Sequence, residues 1–317
     1  DYSGVNPAFL ELFENGERFW ESRIQNYSTD LPPAILMQLT TLKLVASTPL
    51  IDGPGQILGF AAVTSVLDYQ SGKLVNPVSV VVPLSGVLVL DLDDLTLGPE
   101  TQATVIHEMG HAMGFGSLWF ENGLIAPVGG VGPIQYSGGK YALRQYRIES
   151  NNPNAYFVPI QQTGGPGSAL SHWQDDAAFF NQVFTPAFTK EIMTPFACDF
   201  GPNGLVCAPK FTSETTWAAM ADLGYEVSGI NDNVIDPPRS QGLGRWPKIT
   251  GTGTDPFAVN GVIPEDEEGA ELNFKIVDIR VEYRSSKSDK KNINQDKVKT
   301  NKSADPYGLR NHAWSKK

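Results

Sequence analysis

No run of about eighteen or more apolar residues occurs in this chain, which argues against a membrane-spanning helix. No phosphate-cradling glycine loop and no serine-nucleophile elbow stands out either. Histidine is scarce, at four residues in 317 (His107, His111, His172 and His312), so any search for imidazole ligands is short. Cysteine is scarcer still. Cys198 and Cys207 lie nine apart on either side of Gly201-Pro202-Asn203-Gly204. Such a loop can close a disulfide, which favours an oxidising compartment, two buried free thiols being the alternative. Positive charge is in deficit, with 24 Lys and Arg against 35 Asp and Glu and a net charge of −11.

What remains is the composition of a folded, exported protein. With 41% hydrophobic residues, the chain can bury a large core, expected as one two-lobed body plus an extension. It starts at Asp1 rather than at an initiator Met, the mark of a processed or trimmed chain.

The most informative segment is His107-Glu108-Met109-Gly110-His111-Ala112-Met113-Gly114. Residues four apart share a helix face, so His107 and His111 can reach one metal ion while Glu108 points beside it toward a bound water. A catalytic zinc takes three protein ligands and keeps one position open, and this helix offers two. The third must come from elsewhere. The commonest pattern places a histidine six residues after the second ligand, but that position is Ser117. His172 is the leading candidate, because His312 lies in a polar tail. A glutamate ligand stays open, with Glu121 and Glu149 nearest downstream. Gly114 argues against it, since a glycine there lets the chain leave the helix with positive φ and turn back under the metal.

Farther on, Glu191-Ile192-Met193-Thr194-Pro195 sets a methionine in a turn-prone context, alone readable as core packing. Taken together, HEMGHAMGFGSLW from His107, Ser171-His172-Trp173 and EIMTP from Glu191 resemble the leishmanolysin-like (M8) branch of the metzincin metalloproteases. The similarity runs from about Phe19 to Val227, and includes ILGFAAV (57–63) and SETTWAAMADLGYEV (213–227). The family's protozoan members are rich in disulfides, so this chain is closer to the cysteine-poor relatives. The resemblance implies that His107, His111 and His172 bind Zn2+, that Glu108 is general base and then acid, and that Met193 floors the site. It also implies that the edge strand near Gly59–Thr64 lines the cleft and pairs with an extended peptide substrate.

The expected fold is α+β and zincin/metzincin-like. A mixed twisted sheet with two backing helices is followed by a loop-rich second lobe carrying the Met-turn and a closing helix. The chain divides into 1–115, the N-terminal lobe with the active-site helix; 116–229, the lobe with the third ligand; and 230–317, an extension of linker, strand and basic tail. Asn6-Pro7 opens a helix that Asn15-Gly16 can break. Strands are expected at 34–46, 57–67, 78–83 and 86–91, before Gly98-Pro99-Glu100 opens the metal-binding helix. Residues 115–170 read as loops and short hairpins. Ser213 caps a final helix that Gly224 stops.

Beyond Gly229, Pro237-Pro238 and Glu265-Asp266-Glu267-Glu268 read as linker. A strand follows at 271–283, its alternation slipping once between Ile276 and Ile279, and it needs a sheet edge to join. From Arg284 to Lys317, ten Lys or Arg against three Asp give +7, leaving −18 on the rest. This tail is either a solvated arm or a docking element for an anionic or protein partner. Its aromatics are too few to argue for nucleic-acid binding, and no nucleic-acid partner is expected. The functional expectation is a secreted or surface zinc metalloendopeptidase acting on protein or peptide substrates. The rival is a catalytically silent, structural or adhesive component of an extracellular assembly.

Overall fold

The computed structural model describes residues 1–28, 31, 33–39, 41–54, 57–70, 79–164, 167–175, 191–195, 199–201, 204–206, 211–231, 273–278 and 312–315. Cys198, Cys207 and all of the basic tail except His312–Ser315 lie outside these residues.

The architecture is mixed, with helices packed on small sheets. Asn6 accepts a hydrogen bond from the Ala8 N–H (3.0 Å) and opens a 3-10 turn at Pro7–Phe9. Helix α1 follows at Leu10–Glu21 and runs unbroken through Asn15-Gly16. The expected break is absent because Gly16 is a helix-crossing contact. A Cβ there would lie 2.8 Å from Val105 Cγ1 and 2.9 Å from Met109 Sδ. After β1 (Ile24–Tyr27), Pro33–Leu36 forms a single helical turn, α2, where a strand is expected. Its Pro33 suits a first helical position, and the strand itself is confined to β2 (Lys43–Ser47).

Two long strands form the centre, β3 (Ile57–Gln70) and β4 (Ser79–Leu90). They pair antiparallel from Gly59 opposite Leu90 to Gln70 opposite Ser79. The two segments expected at 78–83 and 86–91 are therefore one strand. Pro83, which removes a ladder donor, is accommodated where the register shifts between Val63 and Val66 of the partner. β2 lies parallel to β4 on its other side, Lys43 opposite Ser85.

Helix α3 (Pro99–Ala112) starts from Gly98 with Pro99 in its first turn, and every residue from Thr104 to Ala112 is buried. A helix apolar or small on nearly all sides belongs at the centre of a protein. It packs on β3 and β4 on one side and on α1 on the other. The Trp20 indole N–H donates to Ile106 O (3.0 Å), pinning the two helices. Each large apolar side chain buried here, such as Phe13, contributes about 1.5–3 kcal/mol.

Residues 115–170 are more regular than expected. The hairpin β5 (Ile125–Pro127) and β6 (Ile134–Tyr136) leads into helix α4, Lys140–Glu149. Asp222 supplies that helix with its cap from a distance, accepting from the Tyr141 and Ala142 N–H groups at 2.8 and 2.9 Å. Strands β7 (Asp199–Gly201) and β8 (Gly204–Val206) form a small hairpin. Helix α5 spans Glu214–Asp222, with the Ser213 hydroxyl accepting from Thr216 N–H. It ends before Gly224 (φ +95°), and Tyr225–Val227 form strand β9 against β1 rather than more helix.

Two strands of the extension join the sheet. β10 (Asn273–Asp278) and β11 (His312–Ser315) both run antiparallel to β3. Of the interval Ile276–Ile279 where a slip is expected, Val277 and Asp278 pair with no register shift, and Ile279 lies outside the described residues.

Sheet and helix approach closely at Gly86, where a Cβ would lie 2.5 Å from Ala112 O and 2.9 Å from Ala112 Cβ. Gly86→Val is therefore expected to push α3 off the sheet and to destabilise the protein by roughly 1–3 kcal/mol. Denaturant unfolding with an unchanged midpoint would contradict this close packing.

Candidate metal centre

Within α3, His107 and His111 stand one turn apart, and both are fully buried together with Glu108. Gly114 has φ +106°, as the turn after the motif requires, and its N–H donates to His111 O at 3.0 Å. The chain then folds back. Phe115 O accepts from His111 Nδ1 (2.8 Å), and Ser117, at the position where a third histidine would sit in the commoner spacing, donates its hydroxyl to His111 O (2.8 Å).

His172 arrives on a turn, fully buried, with its Nδ1 donating to Ser168 O at 3.0 Å. Two backbone features bring it there. Leu170 adopts φ +66°, a conformation a branched side chain rarely takes outside tightly determined sites. Gly116 (φ +71°) leaves no room for a Cβ against Ser171 O, so the chain after the motif lies directly against the chain before His172. Trp173 anchors the segment from behind. Its ring is fully buried among Phe115, Trp119 and Tyr136 at centroid distances of 5.2, 5.0 and 5.4 Å, and its indole N–H donates to Thr216 Oγ1 (2.7 Å).

The three rings converge. Nε2 of His107 lies 3.0 Å from Nε2 of His111 and 3.1 Å from that of His172, and the latter two are 2.9 Å apart. These contacts are not ordinary hydrogen bonds. Each Nδ1 faces a carbonyl, which only accepts: Ile192 O for His107 (2.6 Å), Phe115 O for His111 and Ser168 O for His172. Each Nδ1 therefore carries the proton, and in the neutral ring each Nε2 presents a lone pair. Three lone pairs crowd one point. A cation resolves that repulsion, and the fit is close. Metal–imidazole bonds of about 2.0–2.1 Å in a tetrahedron place ligand nitrogens roughly 3.3 Å apart.

His107, His111 and His172 are the one group of three or more suitable side chains among the described residues. No protein-family model and no curated protein matches this chain. The capacity of this site to hold a metal ion therefore rests on its own residues and not on a relative. Neither alternative glutamate joins them. Glu149 is engaged at the start of α5, accepting from the N–H groups of Glu214 (2.8 Å) and Thr215 (3.0 Å).

Met193 is fully buried under α3. A Cβ on Gly110, midway between the two helical histidines, would meet Met193 Cε at 2.9 Å and Sδ at 3.0 Å. Its carbonyl accepts from Trp173 N–H (3.1 Å), tying this turn to the His172 segment.

Sequence reasoning passed over Glu191, which organises the same turn. Its fully buried carboxylate accepts from Met193 N–H, Ser213 N–H (3.1 Å) and Thr216 Oγ1 (2.6 Å). Burial outweighs these donated bonds and pushes its pKa from 4.5 up to about 7. Asp222 is raised from 3.8 to about 6 by the same desolvation. Gly110 was missed as well, although a glycine in the middle of a helix signals a close approach.

Replacement of His172 by Ala should lower metal affinity more than the ~10–100-fold typical of losing a supporting partner. Chelation should lower the Tm of the unaltered protein and leave that of His172→Ala unmoved, because only a filled site stabilises the fold. A second expectation concerns pH. The folded pKa of Glu191 exceeds its unfolded value, so its contribution is full below about 4.5 and is lost as pH rises through about 7. Relative to the unaltered protein, Glu191→Gln should therefore gain stability across that interval. A pH-independent difference in unfolding free energy would refute the assignment.

Proposed function

We propose that this protein is a zinc-dependent metalloendopeptidase of the leishmanolysin-like metzincin kind, hydrolysing peptide bonds of protein substrates. The observation that carries the reading is the meeting of three imidazole Nε2 atoms beside a helix that also bears Glu108. Three neutral imidazoles suit Zn2+ and match the catalytic ligand count, which leaves one position for water or substrate. The sequence resemblance supports the same reading, as does the methionine packed beneath the helix at Gly110.

When bound, the cation supplies a Lewis acid that polarises a carbonyl and makes water nucleophilic near neutral pH. The remaining work falls to the chain. The carbonyls of Ile192, Phe115 and Ser168 hold each histidine in the tautomer that aims Nε2 at the centre. Glu108 leaves α3 next to His107, accepts the proton of the attacking water, and returns it to the departing amine nitrogen. His107, Glu108, His111 and His172 are fully buried, an environment that strengthens the electrostatic interactions among them.

The protein is proposed to act outside the cell or at its surface, with Cys198 and Cys207 joined as a disulfide. Asp199 and Val206, which immediately flank them, face each other across the β7–β8 hairpin. No helix among the described residues is long and apolar enough to cross a membrane.

Casein degradation by the zinc-loaded protein tests the proposal. Glu108→Gln should reduce it by ~100–10,000-fold while zinc content is retained. A zinc-loaded, unaltered protein that cleaves no unfolded substrate would instead fit a structural role in an extracellular assembly.

A further inference from the structure

The outer edge of β3 is covered by two separate pieces of the C-terminal extension. β10 pairs with Ser65–Gln70 in unbroken register over six residues, while β11 pairs with Ile57–Ala61 over four and shifts register after Trp314. Between them, no strand pairing covers the outer edge at Ala62–Thr64 among the described residues.

That interval is level with the metal centre. Val63 pairs with Gly86, and Gly86 touches Ala112, the neighbour of His111. His312, opposite Ala61, is the end of β11 nearest to it, and β11 also contacts α3. A sheet edge offers unpaired N–H and C=O groups to any extended chain, and here the chain's own C-terminal residues take that place.

We propose that residues 312–315 are an intramolecular competitor, a strand that occupies the peptide-docking edge of β3 beside the metal centre and must leave before an extended peptide can bind there. The role of the incoming peptide as substrate rests on the endopeptidase reading; the displacement does not. Four residues with an interrupted register gain few ladder hydrogen bonds against the entropy of ordering them, so the pairing is finely balanced. Covalent attachment compensates, supplying the competitor at an effective concentration on the order of millimolar. Charge adds to it, since the segment from Arg284 to Lys317 carries +7 and the rest of the chain −18, an attraction that salt screens.

The full chain and its Ala313→Pro/Trp314→Pro variant test this. Both positions change because alternate residues of an antiparallel strand donate across the ladder and proline cannot donate. Amide hydrogen exchange should quicken at 57–61 in the variant while 65–70 stays protected. A fluorescent peptide with the sequence of residues 309–317 should bind the variant at least ~10-fold more tightly than the unaltered chain. In the unaltered chain, raising NaCl from about 0.05 to 0.5 M should also quicken exchange at 57–61. Unchanged exchange at 57–61 in both comparisons, or equal peptide affinity for the two proteins, overturns the proposal. Quickened exchange and tighter binding without any casein cleavage would uphold the displacement and reject the endopeptidase reading.

Discussion

Three lone pairs held within about 3 Å of one another repel, and the region around α3 is arranged to keep them there. The means is a set of three backbone carbonyls, from Ile192, Phe115 and Ser168, each fixing one ring by its other nitrogen. These carbonyls belong to three different stretches of chain. The site therefore exists only when the turn after α3, the turn before His172 and the turn around Met193 are all in place. Any metal bound by these imidazoles would couple to folding for that reason, because the unfolded chain has no such cluster to offer.

Close backbone approach makes this convergence attainable. Gly16 lets α1 reach α3, Gly86 lets α3 reach the sheet, and Gly110 admits the Met193 side chain beneath the helix. The aromatic cluster of Phe115, Trp119, Tyr136 and Trp173 then fills the space behind His172, where edge-on ring contacts and a tilted Trp119–Trp173 pair give a definite geometry. The result is a rigid pair of imidazoles on a helix and a third on a strained turn, with Leu170 at φ +66° bearing part of the constraint.

Two buried carboxylates extend the network to α5. Glu191 joins the Met193 turn to Ser213 and Thr216 at the start of that helix, and Asp222 near its end caps α4 and accepts from the Tyr136 hydroxyl (2.8 Å). α5 thus links the ground beneath the metal centre with the hairpin and helix that follow it. Its own stability is tied to pH through both groups, each with its charge disfavoured by burial.

Local signals were enough to reveal the helix that bears His107 and His111, the glycine that ends it and the cap on α5. Each depends on spacing or backbone preference within a few residues, as with His107 and His111 four apart, Gly114 at positive φ and Ser213 accepting from Thr216 N–H. The extent of β4 was not legible, since Pro83 and Gly86 read as stops until the bulge in β3 is known. Helix α4 was hidden because its cap comes from Asp222, far along the chain. The amino-acid sequence by itself determined which four histidines were available and that two of them share a helical face. Only the tertiary structure decided that His172 joins them, that Glu191 underlies the turn and that residues 312–315 lie on the edge of β3. Those outcomes turn on contacts between residues distant in sequence, which no local periodicity encodes.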